Sequence, residues 1–153
     1  MKRKNCINYF KTVLYAASCN EAYSRIIVSA FASQLDPTVE EIADIKSAVS
    51  EAVTNCVVHA YKNEPEEKNK KIYIEASYTS DGEFTVSVRD KGCGIPDIRK
   101  AMEPLFTTDA ANERSGMGFA IMESFTDRLR VSSSVGKGTK VTMTKKLCPK
   151  PGL

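Results

Sequence analysis

Three residues in the stretch 51–59 share a helical spacing and carry side chains that could do chemistry. Glu51, Asn55 and His59 are four residues apart, so on a helix they would line one side. A carboxylate can orient or deprotonate an attacking hydroxyl, and a carboxamide oxygen can ligate a hard cation such as Mg²⁺. A solvated polar helix face has the same spacing, so this signal needs support from other segments.

The second candidate segment covers residues 90–94, where an alternating strand pattern ends in Asp-Lys-Gly-Cys-Gly. Gly92 and Gly94 would let the backbone approach a ligand or adopt positive φ angles. Asp90 offers an acceptor for an exocyclic amine such as that of adenine. An ordinary loop after a strand is the competing interpretation.

The third candidate segment covers residues 114–118 and leads into a helical pattern. Free N–H groups and the positive end of that helix could hold phosphates, and Arg114 could add charge at the terminal phosphate. A G-x-G motif such as Gly116-Met117-Gly118 is common before helices. The three segments together, rather than any one of them, predict a cleft that binds ATP with Mg²⁺.

Apolar periodicity predicts the elements that position these segments. Strands are expected at about residues 5–16, 72–78, 84–88, 129–135 and 139–147. Helices are expected at about residues 20–31, 38–61 and 116–125. The first helix should carry one apolar stripe of Ala22, Tyr23, Ile26, Ile27, Ala30 and Phe31. This order of elements predicts an α+β fold, a two-layer sandwich with helices on one face of a mainly antiparallel sheet.

Local signals mark where several of these elements begin and turn. Asn20 is expected to cap the first helix, and Thr38 with Glu41 has the spacing of a capping box for the second. Asp81-Gly82 is typical of a hairpin turn. The length favours a single domain over residues 1–153, with short tails at about 1–4 and 148–153.

Composition argues against several classes of protein. The 42% hydrophobic and 27% charged residues are typical of a globular domain, and the net charge of +3 lacks the excess of a dedicated nucleic-acid binder. No apolar run approaches the ~20 residues that span a bilayer, so we expect a cytoplasmic protein. The five cysteines are odd in number and lack C-x-x-C spacing, so we expect reduced thiols.

The candidate segments also resemble a known superfamily. The patterns Glu51-x-x-x-Asn55, Asp90-x-Gly92-x-Gly94, Gly116-x-Gly118 and Gly138-Thr139 resemble the nucleotide-binding boxes of the Bergerat-fold (GHKL) ATPases and kinases. A P-loop motif is absent from the sequence. Stretches 50–55, 104–108 and 113–119 are most similar to the small anti-sigma serine kinases of sporulation, and the likeness runs from about residue 20 to residue 147.

The resemblance implies partners and an activity that composition and spacing do not show. A protein of this family holds a sigma factor, here of the sigma F type, away from RNA polymerase. It also uses ATP and Mg²⁺ to phosphorylate a serine on an anti-anti-sigma factor. The resemblance further implies a homodimer and no direct contact with nucleic acid or a membrane.

The resemblance also implies roles for individual residues. Glu51 would be the catalytic base, and Asn55 would bind Mg²⁺ together with the nucleotide. Asp90 would read the adenine amine in a pocket shaped by Gly92 and Gly94. The catalytic Arg114 would contact the phosphates. The other phosphate contacts, and the segment that closes over the phosphates, would come from Thr107, Thr108, Ser115, Gly116, Met117 and Gly118.

Two further roles and three departures complete the comparison with the family. Thr139 would support the adenine end, and Arg25 would contact protein partners, although without the family it would be interpreted as the solvated edge of a helix. Ala60 stands where relatives usually have glycine, and Lys91 and Cys93 stand where an acidic residue and an apolar or polar residue are expected. All three departures lie at the edge of the expected pocket.

Two alternatives remain open at this stage. A general-stress anti-sigma kinase would share every residue named above and differ in its sigma factor. A binding module that uses ATP only as a conformational ligand would share the pocket but would have no use for a base. Glu51 therefore discriminates between a kinase and a sensor.

Overall fold

The structure, a computed structural model, describes residues 5–103 and 117–147. Within these residues the strands are β1 Cys6–Tyr15, β2 Lys71–Thr79, β3 Glu83–Asp90, β4 Arg128–Ser134 and β5 Gly138–Lys146. The α-helices there are α1 Cys19–Ala32, α2 Val39–Asn55, α3 Ile98–Ala101 and α4 Gly118–Phe125. All strand pairs are antiparallel, in the order β1-β2-β3-β5-β4. The predicted α+β sandwich is confirmed.

The core lies between the helices and one face of the sheet. Alternate residues of β2, among them Ile72 and Ile74, are buried against the helices, as is Val88 of β3. Because side chains alternate along a strand, these positions form a continuous apolar layer. Burying one such side chain stabilises the fold by roughly 1.5–3 kcal/mol.

The first strand faces the core with Phe10 and Leu14, which pack against it. Four apolar residues at odd positions point to the other face and are exposed: Ile7, Tyr9, Val13 and Tyr15. This set forms an apolar strip on the outer face of the edge strand β1, interrupted by Lys11, which pairs with Glu75 at 2.7 Å.

Helix α1 differs from its prediction in its cap and in its buried face. It begins at Cys19, and Asn20 is not its cap: the Asn20 amide instead donates to the Tyr15 carbonyl at 2.8 Å. Ser24 and Ser29 are buried together with Val28, Phe31 and Ala32, whereas Ala22, Tyr23, Ile26 and Ala30 of the predicted stripe are exposed. Buried serines are tolerated because their hydroxyls donate to carbonyls one turn back.

Helix α2 starts as its sequence predicts and ends in an unusual turn. Thr38 accepts from the Glu41 amide at 3.1 Å while the Glu41 carboxylate accepts from the Thr38 amide at 2.8 Å, which confirms the capping box. Beyond Asn55 the chain continues as a π-helical turn, Cys56–Ala60. Such turns are frequent at functional sites because they redirect backbone groups away from the helix ladder.

Candidate functional site

Asp90, at the end of β3, is the centre of a hydrogen-bond cluster. The residue is buried, with only 6% of its surface exposed. Oδ1 accepts from the Gly92 amide at 2.9 Å and from the Thr139 amide at 3.3 Å, and Oδ2 accepts from the Cys56 thiol at 3.7 Å. The structure thus brings the predicted residues Asp90, Gly92 and Thr139 together, and it adds Cys56.

Burial controls the electrostatics of this cluster. Desolvation raises the pKa of Asp90 above its usual 3.8, although the hydrogen bonds from Gly92, Thr139 and Cys56 oppose the shift. Burial also raises the pKa of the Cys56 thiol, and the nearby charge of Asp90 adds to that shift. Cys56 is therefore a thiol, able to donate, at neutral pH.

The loop after Asp90 requires its two glycines for different reasons. A Cβ on Gly92 would overlap the carbonyl oxygen of Ala60. Gly94 has φ +76°, and a Cβ there would overlap the carbonyl oxygen of Ser134. The Cys93 amide between them donates to the Ala60 carbonyl at 2.7 Å. The methyl group of Ala60 is therefore compatible with the loop because position 92 has no side chain.

Lys91, a second departure from the family pattern, is held against the sheet. Its backbone amide donates to the Tyr61 hydroxyl at 2.9 Å, and that hydroxyl donates to the Lys71 carbonyl. The Lys91 ammonium lies 4.9 Å from the ring centroid of Tyr73, in a cation–π contact. The side chain of Lys91 thus packs on a strand residue, and Tyr61 ties the loop to β2.

The other end of the site lies where α4 meets α2. A Cβ on Gly118, the first residue of α4, would lie 3.2 Å from Glu51 Oε2 and 3.5 Å from both Asn55 Oδ1 and Asn55 Nδ2. The predicted base, the predicted magnesium ligand and the second glycine of the G-x-G motif are therefore neighbours. Met117, immediately before Gly118, is 37% exposed at this end of the helix.

A cavity opens beside Glu51 on the side of α1. Its volume is about 390 Å³, and it is lined by Arg25, Lys46, Ser47, Ser50, Glu51, Ile121 and Phe125. Arg25 Nη1 donates to Ser50 Oγ at 2.9 Å, which fixes the guanidinium on the residue that precedes Glu51. The predicted partner-binding arginine and the predicted base therefore share one cavity.

Five of the predicted site residues lie outside the described part of the chain. These are Thr107, Thr108, Arg114, Ser115 and Gly116. Their roles at the phosphates stay predictions.

Sequence reasoning missed three residues that shape the described part of the site. Cys56 lies within the predicted second helix and was indistinguishable from a core residue, and nothing singled out Tyr61. Ser133 Oγ accepts from the Ile95 amide at 2.8 Å and lies 2.8 Å from Thr139 Oγ1, so it joins the loop to β5. Its only sequence signal was a place in a serine-rich strand, which does not reveal its partners.

Comparison with known proteins identifies the family. Residues 19–145 match the histidine kinase-like ATPase domain. An anti-sigma F factor of Caldanaerobacter subterraneus subsp. tengcongensis is 54% identical over 138 residues, 90% of this chain and 93% of the relative. That of Clostridium acetobutylicum is 50% identical over 139 residues, 91% and 94% of the two chains. This chain belongs to the anti-sigma F factor family.

Solved structures support the same fold at lower identity. The RsbU and RsbW domains of a Mycobacterium tuberculosis protein superpose with a TM-score of 0.65 at 22% identity, over 92% of this chain and 32% of that one. The SiaB-SiaC complex from Pseudomonas aeruginosa gives a TM-score of 0.63 at 12% identity, over 93% and 90%. At these identities, the similarity concerns the fold of the chain and not the roles of individual residues.

The family model covers both of the residue clusters described above. The histidine kinase-like ATPase domain is a nucleotide-binding domain with kinase-type activity, and its match includes both the Asp90 cluster and the contact of Gly118 with Glu51. Among residues 5–103 and 117–147, no helix combines the length and apolar character that crossing a membrane requires.

Proposed function

We propose that this chain inhibits a sporulation sigma factor of the sigma F type and is an ATP-dependent serine kinase for an anti-anti-sigma factor. The identity of 54% to an anti-sigma F factor over 90% of the chain supports the sigma-factor half of the proposal. The kinase half depends on the arrangement of Glu51, Asn55 and Gly118.

The contact of Gly118 with both Glu51 and Asn55 is the observation that carries the kinase proposal. A glycine at the start of α4 exposes backbone amides at the helix end, where phosphate binds favourably. The carboxylate and the carboxamide lie directly beside that position. A site that only sensed nucleotide would need no carboxylate there, because carboxylates repel phosphates unless they act on a proton or a cation.

The side chain of Asn55 at this position fits Mg²⁺. Asn55 offers a carboxamide oxygen, which is a hard ligand. The described residues contain no cluster of three or more His, Cys, Asp or Glu side chains that could hold a metal. When bound, Mg²⁺ would neutralise phosphate charge, and Asn55 is the residue that we propose holds it.

The remaining residues bind and orient the nucleotide. Asp90 accepts a hydrogen bond from the adenine amine. The glycines at 92 and 94 shape this pocket because they let its loop pack against the carbonyls of Ala60 and Ser134, and the Thr139 amide holds the carboxylate in place. At the phosphate end we assign Arg114 to the terminal phosphate. By resemblance, the other contacts there come from Thr107, Thr108, Ser115, Gly116, Met117 and Gly118.

The transfer step uses one side chain of this chain as a base. The Glu51 carboxylate accepts the proton of the substrate serine hydroxyl while the serine oxygen bonds to the γ-phosphorus. The bond from that phosphorus to the oxygen bridging to the β-phosphate breaks, and ADP leaves. No covalent enzyme intermediate is formed.

Partner binding is assigned to two surfaces. Arg25, on the cavity that also contains Glu51, is the proposed contact for protein partners, so a docked substrate serine would approach the base. The proposed homodimer uses the apolar outer strip of β1. A sigma-factor inhibitor of this kind would act in the cytoplasm.

The decisive experiment compares Glu51→Gln with the control Glu40→Gln, which replaces an exposed glutamate on the same helix. Transfer of labelled phosphate from ATP to an anti-anti-sigma protein is measured beside nucleotide and sigma-factor binding. Glu51→Gln is expected to lower transfer by about 10²-fold or more while both kinds of binding persist. Unchanged transfer would contradict the base, and absence of sigma-factor binding by the wild-type protein would contradict the inhibitor role.

A further inference from the structure

Cys56 is placed between the two ends of the nucleotide site. It directly follows Asn55, is 3% exposed, and opens the π-helical turn of α2. Its sulfur lies 3.7 Å from Oδ2 of Asp90, within hydrogen-bond range for a thiol. A single residue thus connects the helix of the proposed magnesium ligand to the carboxylate of the proposed adenine site.

The other hydrogen bonds of Asp90 show which of its oxygens is available. Oδ1 accepts from two backbone amides, those of Gly92 and Thr139, and so uses both of its lone pairs. Oδ2 accepts from the Cys56 thiol and keeps one lone pair. A ligand amine that binds Asp90 therefore meets Oδ2, the same oxygen that accepts from the thiol.

We infer that Cys56 is a positioning residue of the purine site, whose thiol fixes Oδ2 of Asp90 so that its remaining lone pair faces the 6-amino group of adenine. This inference rests on the proposed binding of ATP at Asp90. Without the thiol, Oδ2 would have no donor among residues 5–103 and 117–147, and the carboxylate could rotate about its Cβ–Cγ bond against the two amides alone. The selectivity for a 6-amino purine would then fall.

The geometry of the contact agrees with a donor role. The buried Cys56 thiol donates to Oδ2 of Asp90, and a carboxylate oxygen accepts such a bond. A cysteine that only filled the core would contribute through packing, as does Val53 one turn earlier on α2. Packing affects the affinity for all nucleotides alike, whereas a bond to Oδ2 affects only ligands that have the amine.

Two ligands separate these roles: ATP, and purine riboside triphosphate, which lacks the 6-amino group. Their dissociation constants are measured for the wild-type protein, Cys56→Ala, Cys56→Val, Cys56→Ser and the packing control Val53→Ala. The wild type is expected to prefer ATP by about tenfold, the contribution of one hydrogen bond to a charged group. Cys56→Ala and Cys56→Val should lose most of that preference through weaker ATP binding alone.

The controls distinguish the possible failures. Cys56→Ser keeps a donor and should retain more of the preference than Cys56→Ala, whereas Val53→Ala should keep all of it. An unchanged preference in Cys56→Ala, or equal losses in Cys56→Ser and Cys56→Ala, would overturn the inference. A wild-type protein without any preference would instead overturn the assignment of Asp90 to adenine and leave the kinase base untouched.

Discussion

Gly118 of α4 packs against Glu51 of α2 so closely that a methyl group at position 118 would lie 3.2 Å from Glu51 Oε2. Gly118→Ala is therefore expected to displace the carboxylate by a few tenths of an ångström. Phosphoryl transfer should fall by about tenfold, because catalysis is sensitive to small misplacements of the base. The free energy of unfolding should not fall, since alanine favours a helix over glycine. Urea denaturation measures the stability, and transfer of labelled phosphate measures the activity. Transfer at the wild-type rate by Gly118→Ala would contradict the close packing of Gly118 on Glu51.

Asn55→Ala should remove the Mg²⁺-dependent part of ATP affinity. The carboxamide oxygen is the proposed protein ligand, and alanine offers none. Calorimetric titration of ATP with Mg²⁺ and with a chelator measures the difference. The control Asn63→Ala replaces an exposed residue beyond the same helix and should keep the Mg²⁺-dependent part of the affinity. Equal Mg²⁺ dependence in both variants would rule out Asn55 as the ligand.

Gly94→Ala and Gly136→Ala form a matched pair. Their φ angles are +76° and +78°, so alanine is strained at both positions, by about 1–2 kcal/mol. Only at position 94 does the new methyl group overlap backbone, at Ser134, whereas Gly136 faces open space. Gly94→Ala should therefore be more destabilising than Gly136→Ala by about 1–3 kcal/mol. Urea denaturation gives both values, and equal losses would show that the loop relaxes freely.

The raised pKa of Asp90 predicts a pH dependence of stability. Below pH 3.8, the usual pKa of an aspartate, the carboxyl is protonated in both the folded and the unfolded protein, so its burial costs no desolvation of a charge. As pH rises through the raised folded pKa, the unfolded state ionises first and the native state is destabilised. Asp90→Asn lacks this ionisation, so its free energy of unfolding relative to the wild type should increase from pH 3 to pH 7. A relative stability that decreased over this range would contradict the direction of the shift.

The outer strip of β1 predicts the oligomeric state. Val13→Glu places a charge at a residue that is 54% exposed within the strip and should convert the proposed dimer into a monomer. Val135→Glu makes the same change at a residue that is 67% exposed in the turn between β4 and β5, and should leave the dimer intact. Light scattering after size-exclusion chromatography measures the mass. A Val13→Glu dimer would place the interface elsewhere.

Local physics accounts for what was predictable from the sequence. The capping box of Thr38 and Glu41 and the turn at Asp81-Gly82 are interactions between residues close in the chain, and both are present in the fold. The class of fold followed from the order of such elements. The residue types of the candidate segments also indicated a nucleotide before any contact was known.

Only the tertiary structure shows which side chains face the core and which residues far apart in the chain are in contact. Periodicity identified β1 as a strand, but Phe10 faces the core and Tyr9 faces outward because of its pairing with β2. The thiol of Cys56 meets Asp90 across 34 residues of chain, and nothing near either residue indicates the other. The sequence by itself determined the elements and the chemistry available at their ends. The packing of α2 and α4 against each other and of α2 on the sheet decided which groups meet, since such contacts depend on all the elements at once.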